Sequence, residues 1–501
     1  GLVASYILAH PDIESAKEEV VVGWGWNHEN WEVIRLPTAG DLDANPITRN
    51  RPIILQSKDG HAIWVSQTLI DTHGPYPDTI EGGVIVRRED GKPSGVFIDS
   101  AQSLVPIPPI SPAEQSRSFE VTVKDALRYG LTALHDAGYK NDSMGLFFSF
   151  GEPSLTASIS TQYSEVKKNG RLPIRLYAMT HFDEEHPDSD SDPGKLRRID
   201  GMAGKERLTV RSLKVFADGA LRTGGAALYE PYEDNPTSSG SLRLPPETIH
   251  RVVGRYMKRG WQVNVHAIGD RANGVVLDAF EDALNELGCL ESTDGRIETR
   301  RRKNPDGCGE VRPRLEHAQM LTKEDVGRVG RLGVVASVQP AHVISDMIYA
   351  EARVGPHRTH RLYPFQSLLS KGAKLAMGTD FPVEGVDPLV GFWAGTTRRS
   401  LEPREGEDDG GWFPSQRLTR TQALRALTID AAYASFSEHL LGSLEPGKKA
   451  DFVVLGVDVM KVEDEKLREA VLRGGSGEGE GIVKATVLDG GLVFGDLGED
   501  C

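Results

Sequence analysis

One local pattern, repeated along the chain, limits its fold more than any other feature. A helical stretch ends at glycine, a short β-rich run follows, and a polar residue closes the run. The pattern reads ALRYG-LTALHDAG at 126–138, YMKRG-WQVNVHAIGD at 256–270, VGRLG-VVASVQP at 329–340 and LSKG-AKLAMGTDFP at 369–382. Glycine ends a helix because it accepts positive φ. A β-branched run after it suits a buried strand. Leu172–His181, Leu208–Ala217 and Val311–His317 fit the series without so clear a cap.

Seven strands are therefore expected, near residues 132, 174, 212, 263, 313, 335 and 375. Strands alternating with helices predict a parallel sheet. An open doubly wound sheet usually carries a glycine-rich phosphate loop, and neither GxGxxG nor GxxxxGK[ST] occurs here. A (β/α)8 barrel fits better, because it places chemistry on many strand ends. Residues 20–100 read as a separate β-rich, aromatic-rich module. Residues 441–456 and 484–496 read as pieces of a small β-sandwich domain. The expected boundaries are 1–124 for the N-terminal part of the barrel domain with its inserted module, 125–440 for the hydrolase barrel, and 441–501 for the sandwich. Three charge-rich stretches, 183–200, 291–312 and 402–411, read as solvated loops, and GGSGEGEG at 474–481 reads as a linker.

Composition narrows the function. The chain has 501 residues and a net charge of -15, which argues against a nucleic-acid partner or an anionic membrane surface. No run of 18 apolar residues occurs, so no membrane-spanning helix is expected. Three scattered cysteines, Cys289, Cys308 and Cys501, do not make a disulfide scaffold or a cysteine zinc site, and favour a reducing, cytoplasmic location. The sequon at Asn141 matters only in a secreted chain. Ala4 to Glu19 reads as a helix without its start, which suggests an incomplete N-terminus. A homodimer is left open, since oligomeric state is not legible.

The strand ends carry the candidate chemistry. Lys214 lies inside the apolar run SLKVFADG. It is either a lysine that snorkels or pairs with Asp218, or a buried lysine kept neutral and carboxylated by carbon dioxide. His266 ends VNVHAIGD and His317 ends RPRLEHAQ. Imidazole suits zinc and similar ions. Asp380 ends LAMGTDFP, where a carboxylate can bind metal and take a proton from water, or simply cap a helix. His61 and Trp64 in the inserted module, and Gln339 and His342 after the sixth expected helix–strand unit, are candidate substrate contacts. His135 and Asp136 end an early strand, and Asp270 and Arg271 suit a local ion pair.

Taken together, SLKVFADGAL, VNVHAIGDRAN, RLEHAQ, ASVQPAH, GTDFPVE and GSLEPGKKADFVVL, with GWGWNHENW and KDGHAIWV upstream, resemble the metal-dependent amidohydrolase superfamily. They closely resemble one branch, amidohydrolase family 3, the YtcJ-like proteins that include N-substituted formamide deformylase. The resemblance implies a barrel with a β-sandwich built from both chain ends. It implies one or two divalent metal ions, zinc in the first instance, held by Lys214, His266, His317 and Asp380. It implies hydrolysis of a carbon–nitrogen bond in a small-molecule amide, with Asp380 serving as base for the water and acid for the leaving amine.

The chain departs from that pattern at one end. The superfamily's first strand carries His-x-His, and no such triplet occurs here. The series has seven strands where a barrel wants eight. A truncated N-terminus accounts for both. The alternative is a catalytically inactive barrel used for binding or regulation; deamination of a ring is a sister chemistry with the same ligands.

Overall fold

The structure is a computed structural model describing residues 1–139, 172–184, 186–187, 196, 198–200, 207–292, 299–301, 308, 311–402, 410–475 and 481–497. The sequon at Asn141, most of the three expected charged loops and the middle of the glycine-rich linker lie outside the described residues. The chain divides into two compact units.

The larger unit is built on the repeated pattern. It comprises Ile110–Phe216, Pro246–Ile348 and His357–Cys501. Its strands, numbered after the five of the smaller unit, are β6 (Ala133–Tyr139), β7 (Arg175–His181), β8 (Leu208–Phe216), β9 (Gln262–Ala267), β10 (Arg314–His317), β11 (Val335–Val338) and β12 (Lys374–Met377). They pair in parallel, in chain order from β6 to β12, as a curled part-barrel. A short segment, Ile199–Asp200, adds antiparallel to β8. Among the described residues no strand joins β6 to β12.

Each expected strand has a counterpart. Gly130, Gly260, Gly333 and Gly372 all adopt left-handed φ, between +64° and +85°, at the helix-to-strand junctions. Every residue of β9, β10 and β11 is buried, as expected of parallel strands covered on both faces. The helices cover them with spaced apolar residues. Helix Pro246–Met257 buries Ile249, Val252, Val253 and Tyr256, a single stripe.

Packing between helices is close enough to constrain single atoms. A Cβ on Gly330, in helix Lys323–Leu332, would overlap the carbonyl oxygen of Lys371. Gly330→Ala should therefore destabilise the barrel by about 1–3 kcal/mol, the usual cost of overpacking. A melting temperature equal to that of the unaltered protein would refute this.

Three antiparallel strands, β13 (Phe452–Leu455), β14 (Val483–Leu488) and β15 (Gly491–Gly495), form the C-terminal sheet. Arg175 of β7 anchors it. Its guanidinium donates to Asp451 at 2.7 and 3.1 Å and to Asp489, and Arg207 donates to Asp489 at 3.0 Å.

The smaller unit comprises Gly1–Pro109, Ala217–Pro245 and Tyr349–Pro356. Its sheet runs β1 (Val21–Trp26), β2 (Ile53–Ser57), β3 (Ala62–Val65), β5 (Pro93–Asp99), β4 (Gly83–Arg87). Only the β1–β2 pairing is parallel. Ile54, Ile63, Val65, Leu69 and Phe97 form its core. The expected helix from Ala4 is broken at Pro11 into Leu2–Ala9 and Pro11–Ser15.

The cysteine reading needs correction. Cys289 and Cys308 are joined by a disulfide, with Cα atoms 5.6 Å apart. A 19-residue separation carries no sign of this, because the chain returns on itself between the two. The disulfide removes the cysteine argument for a reducing compartment. No helix among the described residues is long and apolar enough to cross a membrane.

Candidate metal centre

Parallel pairing sends the carboxyl ends of successive strands to one side, and the register decides which residues meet there. Lys214 on β8 stands opposite Asn264 on β9. His266 stands opposite Phe216 on one side and Glu316 on the other, and His317 stands opposite Ala267. The result is a continuous run of side chains. The Lys214 Nζ lies 4.7 Å from the centre of the Phe216 ring, that ring 5.1 Å from His266, and His266 4.4 Å from His317, edge to face.

β11 and β12 extend the run. Gln339 directly follows β11, and His342 lies in the next helix, Pro340–Asp346. Its ring stacks 6.1 Å from that of His317. Asp380 follows β12, and its carboxylate is 3.7 Å from His342 Nε2. One ligand atom each from His317, His342 and Asp380 lies within 4.8 Å of the others. His317 (φ 73°), Ala318 (φ 46°) and Asp380 (φ 58°) hold left-handed backbone without being glycine. Such strain persists where surrounding structure fixes it, often at functional sites.

Electrostatics separate the groups. Lys214 is 2% exposed. Burial holds its pKa below the ordinary lysine range, against the opposite pull of Glu316 and Asp380. That favours the neutral amine, the form carbon dioxide carboxylates. Arg314 pairs with Glu316 at 2.9 Å and donates to His135 Nδ1 at 3.2 Å. Burial, with the Arg314 charge, pushes His135 down to about 3, so it is neutral. Burial raises Asp136 to about 6; its carboxylate accepts from the backbone N–H of Gly138. Sequence reasoning misses Arg314 and Glu316. The available signal was two charged residues inside a strand otherwise read as buried.

The donor set fits a divalent ion. Three imidazoles, a carboxylate and a lysine disposed to lose its charge offer the nitrogen and oxygen atoms that zinc takes. His342 Nε2 is buried and has no hydrogen-bond partner among the described residues.

The other candidates make the following contacts. His61 Nδ1 contacts the Asp99 carboxylate at 2.7 Å within the smaller unit. Trp64 of the same unit donates its indole N–H to the Thr38 carbonyl at 2.8 Å and packs against Trp31. Asp270 pairs with Arg361 at 3.3 Å; the expected pairing with Arg271 is not the one formed. Asp218, the expected alternative partner of Lys214, accepts the Ala227 N–H in the smaller unit.

A model of the amidohydrolase family matches residues 8–494. The protein LONG AFTER FAR-RED 3 of Arabidopsis thaliana is 33% identical over 460 residues, 89% of this chain and 71% of that protein. The putative amidohydrolase YtcJ of Bacillus subtilis is 29% identical over 487 residues, 95% of this chain and 80% of that one. N-substituted formamide deformylase of Arthrobacter pascens is 26% identical over 440 residues, 87% and 73% of the two chains. Among solved structures, an uncharacterized metal-dependent hydrolase from Pyrococcus horikoshii shares the fold. Its TM-score is 0.62 at 24% identity, over 90% of this chain and 80% of that chain.

Proposed function

The chain belongs to the amidohydrolase family and is a metal-dependent hydrolase, and from that premise we propose that it cleaves the carbon–nitrogen bond of a small linear amide such as an N-substituted formamide. Lys214, His266, His317 and Asp380 are the proposed residues of the metal site, with zinc the proposed ion and a carboxylated Lys214 a proposed oxygen donor. The observation that carries this reading is the unbroken run from Lys214 through His266 and His317 on adjacent parallel strands, reaching Asp380 beyond β12.

A divalent ion, when bound, supplies Lewis acidity: it draws charge from the amide carbonyl and makes water a better nucleophile at neutral pH. The protein's own groups handle position and protons. Asp380 combines a fixed backbone with a side chain that is 30% exposed, so its carboxylate meets both solvent and the histidines. It takes the proton as the water oxygen bonds to the carbonyl carbon. It then delivers that proton to the departing nitrogen as the carbon–nitrogen bond breaks, releasing a carboxylic acid and an amine.

N-formyl, N-acyl and cyclic amides supplied with zinc should separate the substrate classes, with released amine as the readout. Formamides should turn over fastest. Faster turnover of cyclic amides would overturn the linear-amide reading, and no turnover of any class by metal-loaded protein would overturn the reaction itself.

A further inference from the structure

We propose that the larger unit carries a second small-molecule site, a cavity that binds a free α-amino acid with an apolar side chain. The cavity shares no residue with the metal centre, and the proposal does not depend on the amide-hydrolysis reading.

Place and size make the first argument. Three helices and two strands meet around the cavity: the end of helix Pro112–Arg128, the start of helix Pro388–Thr397, helix Asp464–Gly475, and β14 and β15. Its volume is about 350 Å³. Small-ligand pockets begin at about that size. Leu389, Val471, Ile482, Val483 and Phe494 supply apolar wall.

Charge makes the second. Arg128 and Asp387 line the same cavity with opposite signs, and neither charge is met within the fold. Asp387 is 8% exposed, and one of its oxygens accepts the Leu389 backbone N–H at 2.9 Å. Burial, opposed by that N–H alone, raises its pKa to about 6; no cation among the described residues pairs with it. Arg128 makes no ion pair or hydrogen bond through its side chain among the described residues, and its guanidinium lies 5.9 Å from the centre of the Tyr129 ring. A buried carboxylate without a cation is costly, and a ligand ammonium supplies one. The Arg128 fork of N–H donors suits a carboxylate. Lys484 and Asp496 add one further charge of each sign to the lining. This balance favours a zwitterion over a simple amine or a simple acid, either of which would leave one of the two unmet charges without a partner.

Access makes the third. The Tyr129 hydroxyl donates to the Gly474 carbonyl at 3.4 Å, longer than an ordinary O–H···O bond. Burial and the Asp387 charge raise its pKa, so it remains a donor. So long a bond exchanges readily for a shorter one to a ligand carboxylate. A Cβ on Gly474 would stand 3.8 Å from the second Asp387 oxygen. The absence of a side chain there leaves that oxygen approachable.

Isothermal titration calorimetry of the metal-loaded full chain tests this with L-leucine and L-phenylalanine, and with isoamylamine and isocaproate, which each keep leucine's apolar body and one of its charges. At least one of the two amino acids should bind, and leucine should bind about 10–100-fold more tightly than either analogue, the effect of one charged hydrogen-bonded contact. Asp387→Asn keeps a helix cap and removes the charge, so it should weaken leucine by a similar factor. Arg128→Gln should weaken leucine likewise and leave isoamylamine unchanged. No saturable binding of either amino acid at up to about 1 mM would overturn the proposal. So would isoamylamine binding as tightly as leucine. Leucine affinity unchanged in a folded Asp387→Asn protein would place the binding elsewhere, the metal centre included, and overturn it too. If Asp387→Asn fails to fold, leucine affinity unchanged by Arg128→Gln would overturn it instead.

Discussion

Asparagine in place of Asp380 should lower kcat/KM for amide hydrolysis by about 10²–10⁴, the range for losing a positioned general base. The loss should fall on kcat, with KM nearly unchanged, because proton transfer matters only as the reaction proceeds. Asparagine is the informative substitution for two reasons. Asp380 holds φ 58°, a left-handed conformation that asparagine tolerates and a β-branched residue does not. It also keeps an oxygen donor, so metal content should change less than activity. Activity within about threefold of the unaltered enzyme, at equal zinc content, would sink the assignment of Asp380 as base.

The strand ends were legible because a local rule wrote them. A β-branched run with a closing polar residue, capped by a glycine-terminated helix before His266 and Asp380, marks His266, His317 and Asp380 at or just beyond the carboxyl ends of their strands with no knowledge of the partners. Lys214 was legible for the opposite reason: a charge in an apolar run is anomalous wherever it falls. What escaped is what depends on distant segments. The smaller unit takes in Ala217–Pro245 and Tyr349–Pro356, stretches read as barrel from their place in the series. The packing there explains glycines that the pattern leaves idle. A Cβ on Gly219 or Gly225 would collide with the Asp99 carboxylate, itself held by His61. The nearness of His342 to Asp380 escaped because His342 sits in the helix after one strand and Asp380 in the segment after another. The Cys289–Cys308 bond escaped for the same reason.

Replacing Arg175 by methionine should be the most damaging single change to the fold, costing about 3–5 kcal/mol. Arg175 is 2% exposed and lies between Asp451 and Asp489. Methionine fills much of the space but carries no charge. Two carboxylates would then face each other with Arg207 and Lys449 left to balance Asp489, while Asp451 would lose both guanidinium bonds and keep the Asp489 backbone N–H at 2.8 Å. The damage should concentrate in β13 to β15, since Arg175 ties that sheet to β7. Faster amide exchange in Phe452–Leu455 and Val483–Leu488 at neutral pH is the expected sign. Acid should reproduce part of the effect in the unaltered protein. Burial raises the Asp489 carboxyl, but Arg175 and Arg207 outweigh it and hold the group at about 2, against an ordinary 3.8. A carboxyl depressed by folding stabilises above its unfolded pKa, and that stability fades as pH falls from about 4 toward 2. In Arg175→Met the main depressing charge is gone, so the same acid step should loosen the sheet less. Exchange in β13 and β14 that is identical in both proteins at pH 7, with the same acid dependence, would show that the C-terminal sheet is held by its apolar packing alone.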